Sequence, residues 1–186
     1  MRIGRDVAVR LVPFTAAVAG VWLTRRPAWL GISKGRLVPQ LAFGLGGAVI
    51  LFFSAALLQR KLAGDAGPFR AAVSGREAIV QTVYFALNAP IEEAFFRGLL
   101  QGLVSDRLGA SAGIVAGTVP YVLYHRLGGW AWPQVAATAL AGLPLAVAFR
   151  LLPGRPSLLG ISVAHLGATC GFLGPGAWVL RKLSTI

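Results

Sequence analysis

Apolar stretches of roughly 17–25 residues, each long enough to cross a bilayer as a helix, recur along this whole chain. A soluble helical protein would carry polar stripes at a period of 3.6 residues, and most of these stretches lack them. A hydrophobic fraction of 56%, a mean hydropathy of +0.70 and only 13% charged residues agree with that reading. The pattern predicts an all-α, polytopic transmembrane helical bundle of about six spans, with five to seven fitting. It forms a single integral-membrane domain over residues 1–186.

The six runs are Val7–Leu23, about Val38–Leu58, Glu77–Val104, Ala110–Leu127, Trp130–Leu152 and Ser157–Phe172. An apolar tail, Gly176–Leu180, is too short to span. The first run is read as a retained span or interfacial helix, although Ala17-Val18-Ala19 fits a small-residue cleavage pattern, because the rest of the chain is polytopic. The longest polar connection is Gln59–Gly75. Glycines 44, 46 and 47, and later 113 and 117, permit close helix contact. The five tryptophans fall near predicted span ends, as an interfacial aromatic belt does.

The net charge of +12 would suggest nucleic acid in a soluble domain. Here the Lys and Arg residues sit mainly in short loops, which makes membrane lipids the expected partner and excludes nucleic acid. With six spans both termini share a side. Basic residues are more numerous on that side, which predicts cytoplasmic termini. One cysteine, Cys170, rules out an internal disulfide and reads as a packing residue.

The anomaly is Asn88-Ala89-Pro90-Ile91-Glu92-Glu93-Ala94-Phe95-Phe96-Arg97-Gly98. Of only six acidic residues, Glu92 and Glu93 alone have long apolar runs on both sides. Ionised groups inside a membrane are expensive and mark function. Glu93 and Arg97 are four apart, with Glu first, the favourable order for a helical ion pair. Glu92 points about 100° away and has no partner in its own helix, which makes it a candidate general base. Pro90 predicts a kink or break just before the carboxylates. Asn88, one turn earlier, is read first as a residue bonded at the kink and second as an amide near Glu92.

Both histidines, His125 and His165, lie in predicted spans, and none is spent on a loop. On a helix Gly117, Tyr121 and His125 share a face. Two histidines and a carboxylate on three spans can bind a metal, activate water or relay protons.

Glu92-Glu93-Ala94-Phe95-Phe96-Arg97-Gly98 resembles the EExxxR motif of the CAAX-protease and bacteriocin-processing (CPBP, or Abi) family, intramembrane proteases related to the Rce-type prenyl-protein endopeptidase. The second family motif, FxxxH, is matched by Tyr121-Val122-Leu123-Tyr124-His125, with Tyr for Phe. The third, HxxxN or HxxxD, is matched by His165-Leu166-Gly167-Ala168-Thr169, with Thr at its last position. The resemblance covers about Glu77 to Phe172.

It implies an intramembrane endopeptidase of a bacterial-type cytoplasmic membrane. The implied substrate is a peptide or membrane protein, with a lipidated or C-terminal segment among the options. Glu92 would activate the hydrolytic water with help from His125, while His165 and Thr169 would stabilise the oxyanion. Glu93, Arg97 and Tyr121 would support the site. Zinc or another divalent metal on Glu92, His125 and His165 is one implied chemistry, and metal-free hydrolysis by the same groups is the other. Thr169 departs from the family's amide or carboxylate and so leaves open a catalytically impaired homologue acting as a scaffold or immunity protein. A proton-coupled transporter, the remaining class, lacks the internal repeat that many transporters carry.

Overall fold

In the computed structural model, which describes residues 3–25, 27–62 and 72–183, many large apolar side chains face outward and a set of polar ones faces inward, beside an apolar core that includes Phe85, Leu145 and Ile161. Ile79, Val83 and Leu87, four residues apart, are exposed on one helix face, while Gln81, Asn88 and Glu92 are buried on the opposite face. Gln40, Gln101, His125 and His165 are buried as well. This inversion of the soluble pattern is what a hydrocarbon solvent dictates: apolar side chains lose nothing by facing lipid, and polar groups need partners inside.

The chain is built of helices, with no strand among the described residues. Helix α1 is Gly4–Arg25, α2 is Leu37–Leu62 and α3 is Gly75–Glu93. From α3 the chain continues through π-helical turns, Ala94–Gln101, into α4, Gly102–Leu108. Then come α5, Ala110–Leu127; α6, Trp132–Leu151, with a turn at Thr138; α7, Leu159–Phe172; and α8, Gly174–Leu183. Residues 63–71, the middle of the long polar connection, lie outside the described residues.

Three helices (α1, α2 and α6) are long and apolar enough to cross a membrane, and the pair α7–α8, bent by 63°, makes a fourth if counted as one span. The segment Gly75–Leu108 and helix α5 carry the charged and polar residues of the first two motifs, which lowers their hydropathy below that of lipid-only spans. The number six remains an expectation.

Pro90 does not break its helix. α3 runs through it to Glu93, and the irregularity follows instead as the wide turns of Ala94–Gln101. A π-turn bonds i to i+5 and loosens the ladder without interrupting it. Trp130, expected at the interface, is buried and stacks on Phe172 with centroids 5.5 Å apart, whereas Trp132 is exposed.

Small residues bring α2 against α7. A Cβ on Gly44 would come within 3.1 Å of the Gly160 carbonyl, and one on Gly47 within 3.0 Å of the Ala164 Cβ. Gly46, by contrast, faces open space. Gly167 and Gly171 rest on the backbone of Ala48 and Phe52. On the other side, Gly117 lets α5 approach the π-turns, where a Cβ would lie 2.7 Å from Gln101 Oε1. Two buried donors tie the π-turns to α6: Arg97 Nη2 donates to the Gly142 carbonyl and Gln101 Nε2 to the Ala146 carbonyl, each at 2.7 Å. Donors and acceptors are both four residues apart, so one register serves both bonds.

Candidate active site

The close packing of α2 on α7 and of α5 on the π-turns brings Glu92 (α3), Tyr121 and His125 (α5), and His165 and Thr169 (α7) to the wall of one cavity of about 1230 Å³. That exceeds the usual range for small-molecule sites, roughly 300–1,000 Å³, and leaves space for water and a chain segment together.

Glu93 and Arg97 form the expected pair. Arg97 Nε lies 3.3 Å from Glu93 Oε2, both side chains are fully buried, and the guanidinium sits 4.2 Å from the centre of the Tyr121 ring. Glu93 does a second thing that spacing could not reveal: its Oε1 accepts from His165 Nδ1 at 2.7 Å. A carboxylate on Nδ1 fixes the ring's orientation, as the acidic member of a catalytic triad does. It leaves His165 Nε2 facing the Tyr121 hydroxyl at 3.2 Å and Glu92 Oε2 at 3.6 Å.

His125 Nδ1 is 2.8 Å from the Tyr121 carbonyl. A carbonyl can only accept, so Nδ1 carries the proton and, in the neutral ring, Nε2 keeps the free lone pair. Tyr124 and Trp130 flank this ring at centroid distances of 4.3 and 4.6 Å. The His125 ring is therefore held with Nε2 left to accept.

Glu92 has a partner that the sequence did not disclose. Arg10 on α1 donates from Nη1 to Glu92 Oε1 and to the Tyr124 hydroxyl, the latter at 2.8 Å. Asp6, one turn before Arg10, takes the other edge of the guanidinium at 2.9 Å from Nε and 2.6 Å from Nη2. Phe14, one turn after it, stacks flat on Phe95 at 4.0 Å. Asp6, Arg10 and Phe14 thus form one seam along α1, packed onto the motif. Asp and Arg at four-residue spacing was the available signal, but nothing in spacing links position 10 to position 92.

Thr169 lines the cavity near His165, one helical turn on. Asn88 also lines it; the residue is buried, and its Oδ1 has no hydrogen-bond partner among the described residues. It points to the cavity rather than sealing a kink.

The zinc option does not fit this geometry. Among the described residues no group of three or more His, Cys, Asp or Glu side chains is arranged to hold a metal. His125 and His165 each use Nδ1 internally and keep Nε2, so the histidines themselves do not oppose a metal; what opposes one is the Arg10 guanidinium on Glu92 Oε1. A second cation at that carboxylate would meet the arginine's charge.

A family model described as type II CAAX prenyl endopeptidase Rce1-like matches residues 75–170, just over half of the 186-residue chain. The chain belongs to the Rce1-like family. No curated protein and no solved structure matches it. The Rce1-like assignment and the apolar helices together make this a membrane protein of the CAAX-type intramembrane protease class. The matched segment contains all three motifs and the Glu93–Arg97–His165 network. It does not contain α1, which brings Arg10 to Glu92.

Proposed function

We propose that this chain is an intramembrane endopeptidase that hydrolyses a peptide bond of a membrane-associated substrate with water activated by Glu92. The observation that carries this reading is the facing of Glu92, His125, His165 and Thr169 into one cavity, with Glu92 Oε2 3.6 Å from His165 Nε2. Glu92 takes a proton from water while the water oxygen adds to the scissile carbonyl carbon. His125 assists through Nε2, since general bases act within hydrogen-bond reach, directly or through one water. The Thr169 hydroxyl donates to the oxyanion of the tetrahedral intermediate, and His165, whose Nδ1–H is held by Glu93, donates there from Nε2 when its ring carries both protons. As the C–N bond breaks, the proton passes to the leaving amine. The Glu93–Arg97 pair holds His165 in place and takes no part in bond making.

Apolar side chains such as Leu51, Leu57 and Leu140 form much of the cavity's remaining wall. That suits a hydrophobic or lipid-bearing peptide drawn from the bilayer. The test is cleavage of a fluorogenic reporter peptide by the purified protein in lipid. Glu92→Gln and His125→Ala should each lower kcat by at least about 10², the scale of a lost general base. Cleavage that survives both substitutions overturns the assignment.

Thr169 favours a second reading, a scaffold or immunity protein that keeps the fold without the chemistry. A hydroxyl offers one donor with a shorter reach than an amide, and an oxyanion donor is worth roughly 10²–10³ in rate. Thr169→Asn should raise cleavage by up to that factor in a protease. No cleavage before or after the substitution favours the scaffold.

A further inference from the structure

We infer that Arg10, braced by Asp6, is a positioning residue for Glu92, so that the N-terminal helix completes the active site. This rests on the reading of Glu92 as the base. A guanidinium has five N–H donors, and all five are engaged. Nε and one Nη2 hydrogen go to Asp6, and the other Nη2 hydrogen goes to the Tyr84 hydroxyl at 3.3 Å. Both Nη1 hydrogens go to Glu92 Oε1 and the Tyr124 hydroxyl. Tyr84 in turn donates to Asp6, which closes the ring of contacts.

No donor is left over for a substrate oxyanion, so Arg10 is not an electrophile in the reaction. Its fork, fixed from behind by Asp6, pins one oxygen of Glu92 and leaves the other directed at His165 Nε2. The arginine side chain is 17% exposed and the glutamate 2%, so the pair is largely shielded from solvent. The guanidinium is itself fixed by its two-point contact with Asp6, so the single bond it makes to Glu92 has a set direction. The other contacts of α1 with the site, such as Tyr84 on Asp6 and Phe14 on Phe95, seat the helix but do not touch the Glu92 carboxylate.

The test compares the purified full chain with Arg10→Gln, Arg10→Lys, Asp6→Asn, Arg10→Gly, and Glu92→Gln alone and combined with Arg10→Gly or Arg10→Gln. A misplaced base of about 1 Å costs on the order of 10² in rate. Arg10→Gln should therefore lower kcat about 10²-fold with KM within about twofold. Arg10→Lys, which keeps the charge and loses the fork, should fall at least tenfold, and Asp6→Asn should fall in the same direction. Millimolar methylguanidinium should restore at least tenfold to Arg10→Gly and nothing to Arg10→Gly/Glu92→Gln. A merely structural role would lower the folded fraction and leave kcat per folded molecule unchanged; that result, or Arg10→Gln within threefold of wild type, overturns the inference.

If the wild type itself cleaves nothing, the functional proposal fails, and the pairing is then read from unfolding. Arg10→Gln should lower Tm by roughly 6–12 °C, and adding Glu92→Gln should recover at least half of the loss. No recovery refutes the pairing.

Discussion

Consider Glu93→Gln. The substitution keeps the shape of the side chain and removes one charge from a pair whose members are both fully buried. Removing one partner of such a pair costs about 3–5 kcal/mol, because the other charge is left uncompensated. Arg97 would retain its bond to the Gly142 carbonyl and its seat on the Tyr121 ring, contacts that keep its remaining N–H groups partly satisfied and place the expected loss at the lower end of that range. His165 Nδ1 would exchange a charged acceptor for a neutral one, a difference of about 1 kcal/mol. The sum is about 3–4 kcal/mol, or a fall in Tm of roughly 6–16 °C for a chain of this length.

Denaturant unfolding in detergent, followed by tryptophan fluorescence, measures it. The double variant Glu93→Gln/Arg97→Met removes both charges and should recover about 2 kcal/mol, since replacing a buried pair by apolar groups is often near neutral. Glu93→Gln within about 0.5 kcal/mol of wild type, an exposed-site value, would refute the account. So would a double variant no more stable than the single one.

Gly167→Val places a branched side chain where α7 meets the backbone of Ala48 on α2. Overpacking of this kind costs about 1–3 kcal/mol, and the same unfolding assay should show it, whereas Gly46→Val, facing open space, should change stability by less than about 0.5 kcal/mol. Phe14→Ala removes the flat stack on Phe95 and the edge contact with Phe96; a double-mutant cycle with Phe95→Ala should return a coupling of about 0.5–1.5 kcal/mol.

Local patterns were legible in the sequence because their physics is local. The run Ala110–Leu127 has the bounds of helix α5, set by glycines on either side. Glu93 and Arg97 pair because four residues make about one turn. The glycines at 44, 113 and 117 mark real helix contacts. What spacing could not carry is contact between distant segments. Arg10 reads as a flaw in an apolar run, yet its partner lies 82 residues away. Likewise nothing near Glu93 announces that it also orients His165, 72 residues on. The π-turns at Ala94–Gln101 escaped notice because Pro90 is a visible helix breaker, and the break it suggested did not occur. Trp130 was misplaced since a tryptophan near a span end fits a belt or a core equally well, until Phe172 and His125 are seen to enclose it.

The seam on α1 bears on how such a chain enters a bilayer at all. A lone arginine or aspartate at the centre of an inserting helix costs roughly 2.5–3.5 kcal/mol. Asp6 and Arg10 lie on one helix, four residues apart, and are paired in the folded chain. Glu93 and Arg97 do the same on the later segment. Each of these pairs can therefore enter as a neutral dipole rather than as two isolated ions. Glu92 alone is made without a counter-charge on its own helix, and by then Arg10 has already been synthesised. Synthesis proceeds from the N-terminus, so the anchor precedes the residue it holds.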